Sequence, residues 1–231
     1  AAAHIGTMIV AGEALPARLV EEFARTSHGT IINMYGPSEA AVYATAEKTR
    51  SGSEVTIGRP LDNCRVYVLD EARHPVLPTS VGEIYLAGEC VAEGYAGRPD
   101  LTEASFLPDP FCPGERMYKT GDLGRQRVDG RFEYAGRRDG QIKLSGQRIE
   151  TEEIVGAIMQ TGLVSEAAVV AVRAGETMHL RACCVPREGV SCTPSALRDR
   201  LRATLPEYML PSEWHILESL PRTTSGKTDM R

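Results

Sequence analysis

The sequence predicts a mixed α/β plus α+β fold: an α/β segment, a β-rich layer, and a small α+β domain at the end. Three observations support this. The chain opens on strand, helix and strand patterns, and short apolar strands separated by turn residues then run from about Val55 to Tyr134. Beyond Gly140 the rhythm changes to helices alternating with longer strands. The segments are residues 1–46, 47–138 and 139–231, with the main boundary at Asp139-Gly140.

The first strand, Ile5 to Val10, is apolar and β-rich. Leu19, Val20 and Phe23 fall at helical spacing within Pro16 to Arg25, and Thr30 to Tyr35 reads as a second strand. AGEA and YGPSE then lie just past strand ends, where ligands sit in open α/β sheets. A chain that starts on a core strand reads as the tail of a larger sheet. The middle segment supplies the strands RVYVLD and GEIYLAG, a Gly-Tyr-Ala-Gly turn, a Pro-rich loop FLPDPFCPGE, and RFEYAGR after the Asp129-Gly130 turn. The last segment predicts a helix over Thr151 to Met159, strands at Ala167 to Val172 and Leu180 to Val185, a helix capped by Thr193-Pro194, and a strand near Trp214 to Leu217.

Composition narrows the function classes. The 231 residues carry 26 Lys+Arg against 31 Asp+Glu, a net charge of -5, which leaves no basic stripe for nucleic acid. Six cysteines without a C-x-x-C pair, and five histidines away from zinc-ligand spacings, read as reduced thiols in a cytoplasmic protein. No apolar run approaches the ~20 residues of a membrane span.

The chemistry concentrates in a few motifs. YKTGDL (Tyr118 to Leu123) is followed by GRRDGQIKLSG (Gly136 to Gly146). A carboxylate such as Asp122 can hold both hydroxyls of a ribose, and the planar fork of Arg137 suits ribose or phosphate oxygens. Arg138 reads as a solvated surface charge, and Asp139-Gly140 as a turn. NMYGPSE (Asn33 to Glu39) contains a Gly36-Pro37 turn. Near the end, Ser225-Gly226-Lys227-Thr228 imitates a phosphate loop, but the glycine needed five positions before Gly226 is Pro221, which excludes that reading.

Together these motifs resemble the adenylate-forming superfamily, which includes nonribosomal peptide synthetase adenylation domains, acyl-CoA ligases and luciferases. NMYGPSE is similar to the family's N-x-Y-G-P-T-E with Ser38 for threonine, a change that keeps the hydroxyl. The closing TTSGKTDMR is similar to N-G-K-x-D-R, with Ser225 for asparagine and Met230 inserted before Arg231. The resemblance implies that Asp122 binds the ribose, Arg137 the nucleotide, Asn33 the adenine edge and Ser38 the α-phosphate, that Tyr35 stacks on adenine, and that Glu39 helps hold Mg²⁺. Gly12, Glu13 and Ala14 match the family's loop beside adenine. Tyr134 either packs near the base or is a buried strand tyrosine. Asp139 becomes the hinge of a mobile C-terminal domain, and Lys227 bridges the substrate carboxylate and the nucleotide. Lys143 and Gly146 belong to a second, thioester-forming state, with Ser145 departing from the arginine common before Gly146.

The Gly-Pro after Tyr35, together with LPEYMLP (Leu205 to Pro211), favours the peptide-synthetase branch. There the side-chain pocket would include Ile9, Ala11, Met34, Val42 and Tyr43. By themselves LPEYMLP and GEIYLAGECVAEGY read as structural, a helix-to-strand joint and a β-hairpin region. The resemblance implies a distorted barrel for the β-rich layer, the cofactors ATP and Mg²⁺, an amino acid substrate, a carrier domain bearing phosphopantetheine, and an accessory protein of the MbtH type as a further partner. It covers the chain as the later part of the family's domain; the Ser/Thr/Gly-rich phosphate loop and the aspartate that binds the α-amino group have no counterpart here. Two alternatives stand beside the peptide-synthetase reading: an acyl- or aryl-CoA ligase, and a non-catalytic remnant that serves as a docking module.

Overall fold

A computed structural model of the chain describes residues 5–138, 141–144, 147–174 and 177–222. They fall into two compact units, within residues 1–139 and 140–231.

In the first unit β1 (Thr7–Val10) lies parallel to β2 (Thr30–Tyr35), with Val10 beside Asn33. Parallel neighbours need a crossover, which α1 (Ala17–Thr26) provides while burying Val20. β3 (Thr45–Thr49) returns antiparallel to β2, and β4 (Arg59–Pro60) pairs with β3 to complete the sheet order β1-β2-β3-β4.

The β-rich layer contains β5 (Cys64–Leu69), β6 (Gly82–Gly88), α2 (Pro99–Ser105), β7 (Phe106–Pro108), β8 (Arg116–Gln126) and β9 (Phe132–Arg137). The sheet order is β5-β6-β8-β7, with β9 also on β8. Side chains alternate faces along a strand. On β6, Ile84 and Leu86 therefore enter one cluster with Tyr35, Ala44, Ile57 and Phe132, while Tyr85 and Ala87 enter another with Leu69 and Met117. The first cluster draws on both sheets and so ties the α/β segment to the β-rich layer.

Strands β3, β4 and β8 have no counterpart in the sequence reading, and two further elements differ from it. The stretch read as a Pro-rich loop begins with β7, which pairs with β8 and buries Phe106. Pro108 lacks an N–H and is tolerated because β7 is an edge strand. Helix α2 has no counterpart in the sequence reading; it buries none of its residues, so it carries no apolar stripe for periodicity to reveal.

The second unit opens with a hairpin of β10 (Ile142–Leu144) and β11 (Gln147–Ile149), followed by α3 (Thr151–Gln160). Then come β12 (Val164–Ala174), β13 (Thr177–Pro186), α4 (Pro194–Leu201) and β14 (Glu213–Ile216). The expected cap is present: Thr193 Oγ1 accepts from the Ala196 N–H at 3.2 Å, and Pro194 starts the helix where a missing N–H costs nothing. LPEYMLP forms a single 3₁₀ turn, Glu207–Met209, between α4 and β14. The core is aliphatic and includes Ile154 and Ile158 of α3, Leu180 and Ala182 of β13, and Leu197 and Leu201 of α4. Among the described residues no helix is long and apolar enough to cross a membrane, and all six cysteines are unpaired thiols.

Candidate functional site

The T-G-D motif lies where β8 departs from its neighbour. Glu83 of β6 faces Leu123, yet Tyr85, two residues on, faces Lys119, so β8 carries two extra residues across Thr120 to Asp122. Gly121 there has φ 74°, a conformation glycine adopts without steric cost. Bulges re-aim side chains beside functional sites. Thr120 stabilises this one: its hydroxyl donates to the Ile84 carbonyl at 2.7 Å and accepts from the Asp122 N–H at 3.0 Å.

Asp122 then pairs directly across the ladder with Arg137 of β9. Arg137 Nη1 donates to Asp122 Oδ1 at 2.7 Å and Nη2 to the Thr120 carbonyl at 3.0 Å. The two side chains are 8% and 3% exposed, so this is a buried ion pair, stable only because its geometry and extra hydrogen bonds offset desolvation. Tyr35, at the end of β2, donates its hydroxyl to Asp122 Oδ2 at 2.6 Å. Burial first, and then the charge of Asp122, raises the Tyr35 phenol well above its ordinary value, so it remains a donor. The Tyr134 ring lies 6.5 Å from that of Tyr35, tilted by 42°, and packs against the same core cluster. The structure thus brings Tyr35, Asp122, Tyr134 and Arg137 together from three strands.

Asn33 points into the fold: its Nδ2 donates to the Thr56 carbonyl at 2.7 Å. After Tyr35 the chain turns sharply. A Cβ on Gly36 would lie 2.7 Å from both the Ala44 nitrogen and the Val42 carbonyl oxygen, so only glycine permits the approach. Ser38 and Glu39 follow on a 3₁₀ turn, Ser38–Ala40, with Ser38 exposed and Glu39 half-buried. Glu39 accepts a 2.7 Å hydrogen bond from the Tyr95 hydroxyl, which lies 3.4 Å from that of Tyr118. Tyr95 and Thr120 are site residues that sequence reasoning missed. Each stands inside a recognisable motif, but its partner lies on a distant strand or turn.

Gly12, Glu13 and Ala14 follow directly after β1, with Gly12 at φ 88°. Of the residues expected to line a side-chain pocket, Ile9, Ala11, Val42 and Tyr43 are exposed and Met34 is half-buried on β2. A cavity of about 360 Å³ beside Phe23, His28, Lys48 and Arg50 lies at the start of β2, the opposite end from Tyr35, so volume alone does not mark the site.

Arg138 is more than a solvated charge. Its N–H donates to the Gly121 carbonyl, and its guanidinium reaches Glu71 at 2.6 Å and the buried Glu83 at 3.5 Å. A carboxylate buried in a sheet needs a cation, and the extra backbone bond past β9 puts one there. Asp139, Gly146 and Lys227 lie outside the described residues, as does the side chain of Lys143, whose backbone belongs to β10.

No cluster of three or more His, Cys, Asp or Glu side chains able to hold a metal occurs among the described residues. A single carboxylate, Glu39, suits Mg²⁺, which keeps several waters and is held by one or two carboxylates together with substrate phosphates.

Two family models match the chain: AMP-binding enzyme over residues 1–96 and AMP-binding enzyme C-terminal domain over residues 153–227. The chain belongs to the AMP-binding enzymes. Among curated members of this family, it is 47% identical over 211 residues to a linear gramicidin synthase polypeptide of Brevibacillus parabrevis, covering 87% of the chain and 4% of that protein. It is 46% identical over 227 residues to phosphinothricin tripeptide synthetase PhsB of Streptomyces viridochromogenes, covering 95% and 19%. Among solved AMP-binding structures, the Vibrio cholerae adenylation domain AlmE in complex with glycyl-adenosine-5'-phosphate superimposes with TM-score 0.85 at 26% identity, covering 97% of the chain and 43% of AlmE. Holo-PA1221, an NRPS protein containing adenylation and PCP domains, gives TM-score 0.82 at 26% identity, covering 97% and 39%. The chain therefore spans less than half the length of these relatives. Their fold agrees with the α/β plus α+β reading of the sequence.

Proposed function

We propose that this chain supplies the nucleotide-holding part of an amino-acid adenylation site in a nonribosomal peptide synthetase, which forms aminoacyl-AMP and passes it to a carrier thiol. The observation that carries this reading is the Asp122 cradle. An ionised carboxylate has about four acceptor positions, of which Tyr35 and Arg137 take one each, leaving capacity for two ribose hydroxyls. The chain's similarity to peptide synthetases supports the choice of branch.

In this reaction a substrate carboxylate oxygen attacks the α-phosphorus of ATP, the new O–P bond forms, and the bond to the bridging oxygen breaks to release pyrophosphate. Asp122 and Arg137 hold the ribose, Tyr35 and Tyr134 flank the base, and Gly12, Glu13, Ala14 and Asn33 border it. Ser38 contacts the α-phosphate. Glu39 would hold Mg²⁺, which when bound neutralises phosphate charge. Lys227 offsets the negative charge that grows as two anions meet. Ile9, Ala11, Met34, Val42 and Tyr43 shape the side-chain pocket. Asp139 then serves as the hinge of residues 139–231, and Lys143 and Gly146 act in the thioester state, in which a carrier's phosphopantetheine would supply the thiol that accepts the aminoacyl group as AMP leaves. An amino acid and a carrier domain are the partners this chemistry requires, and an MbtH-type protein is a further candidate.

Amino-acid-dependent exchange of pyrophosphate into ATP, measured on the intact protein with a substrate panel, tests the reading. Exchange stimulated by one or a few amino acids is expected. Nucleotide binding without exchange for any amino acid would favour the docking-module alternative, and adenylation of aryl or fatty acids would favour the CoA-ligase branch.

A further inference from the structure

We propose that Tyr95 is a positioning residue for Glu39: its hydroxyl fixes the orientation of the carboxylate that would hold the metal. The inference rests on the adenylation reading, because that reading gives Glu39 its role. A half-buried carboxylate on a single 3₁₀ turn has little local structure to select its rotamer. Here the turn is tied to a distant loop at two levels. The Ala92 N–H donates to the Glu39 backbone carbonyl at 2.9 Å, and the Tyr95 hydroxyl donates to Glu39 Oε1 at 2.7 Å. A hydrogen bond to an ionised acceptor is stronger than one between neutral groups.

The Tyr95 side is itself held. Its N–H donates to Thr102 Oγ1 at 2.9 Å, and its ring stands edge-on to Phe106, with centroids 5.4 Å apart and planes at 74°. Arg116 lies over the same Phe106 ring at 5.8 Å and donates to the Glu93 carbonyl at 2.8 Å, so the loop before Tyr95 is pinned to β8. Mg²⁺ requires near-ideal octahedral geometry, so the angle at which a carboxylate is presented governs how well the ion is held. Hydrogen bonds to ligating groups tune metal affinity in this way.

Tyr95→Phe removes the hydroxyl and keeps the ring against Phe106. In the intact protein, Mn²⁺ affinity in the presence of ATP, read by electron paramagnetic resonance, should weaken roughly tenfold. The Mg²⁺ concentration needed for half-maximal pyrophosphate exchange should rise in parallel, with the KM for the amino acid unchanged. The same comparison in a Glu39→Gln background separates positioning from general stability: if Tyr95 acts through Glu39, the second loss should disappear. Unchanged Mn²⁺ affinity in folded Tyr95→Phe, or an equal loss in both backgrounds, would overturn the proposal. The Mn²⁺ measurement does not depend on turnover. A wild-type protein that exchanges with no amino acid yet loses Mn²⁺ affinity on Tyr95→Phe would refute the adenylation reading and leave the positioning role standing.

Discussion

The two units of this chain bury different chemistry. Among the described residues, the first unit buries Asn33, Thr45, Thr49, Thr56, Glu83, Asp109, Thr120 and Asp122, whereas the second buries only Gln141 and Thr151 as polar residues. Buried polar groups cost free energy unless they are hydrogen-bonded, and the first unit meets part of that cost with long-range partners such as Thr120 to Ile84 and Asn33 to Thr56. The second unit is organised around a large aliphatic cluster and a smaller one of Cys183, Val185 and Leu220. The first core therefore serves stability and site geometry together, and the second serves stability. Substitutions should separate these roles.

Asp122→Ala should have the largest effect, because it removes the carboxylate from a buried ion pair with Arg137. A loss of about 3–5 kcal/mol in unfolding free energy is expected, measured by urea denaturation, together with loss of ATP-dependent exchange. Leu201→Ala, at a fully buried position of the second core, should cost about 2–5 kcal/mol of stability in that unit. Under native conditions it should leave nucleotide affinity intact, as measured by ATP titration. Equal loss of affinity in both variants would erase the distinction. Lys227→Ala should do the reverse of Leu201→Ala: unchanged denaturation and roughly a hundredfold slower exchange, the size expected from about 3 kcal/mol of lost transition-state stabilisation. Its sequence context, TTSGKTDMR, is polar apart from Met230.

What could be read from the sequence follows the same division. In the aliphatic second unit α3, β12, β13 and β14 were legible because they carry regular apolar periods, and the Thr193-Pro194 cap announced where α4 begins, whereas the short strands β10 and β11 were not read. In the first unit β2, β6 and β9 were legible for the same reason. The bulge at Thr120 to Asp122 was not, because it is a register difference between β8 and β6, strands far apart in sequence. The Tyr95 to Glu39 bond spans 56 residues and leaves no periodic trace. Motif spacing marked Asp122 and Arg137 as a pair of interest, yet only the ladder shows them directly opposite one another. Local signals reveal elements and caps, whereas polar sites depend on which strands meet and in what register.

The smallest predicted effect concerns the turn that carries Glu39. Ala41 and Val42 have φ values of 54° and 71°, and the Tyr43 N–H donates to the Ala41 carbonyl at 2.8 Å, closing a γ-turn around Val42. Positive φ in a β-branched residue is a steric outlier, and this form of γ-turn is the strained one. Strain of this kind costs of order 1–3 kcal/mol and persists only where the surroundings enforce it. Val42 is 52% exposed, so burial of its own side chain contributes little in return. Val42→Gly relieves the strain but adds freedom to the unfolded chain, a penalty of roughly 1 kcal/mol. The two terms nearly cancel, and a net stabilisation of about 0.5–1 kcal/mol in urea denaturation is expected. If the strained turn shapes the amino-acid pocket, the same variant should discriminate less between amino acids in pyrophosphate exchange. Gain in stability with loss of discrimination would show that the first unit holds a backbone conformation its own stability does not favour; a stability loss would show that contacts of the valine side chain maintain the turn instead.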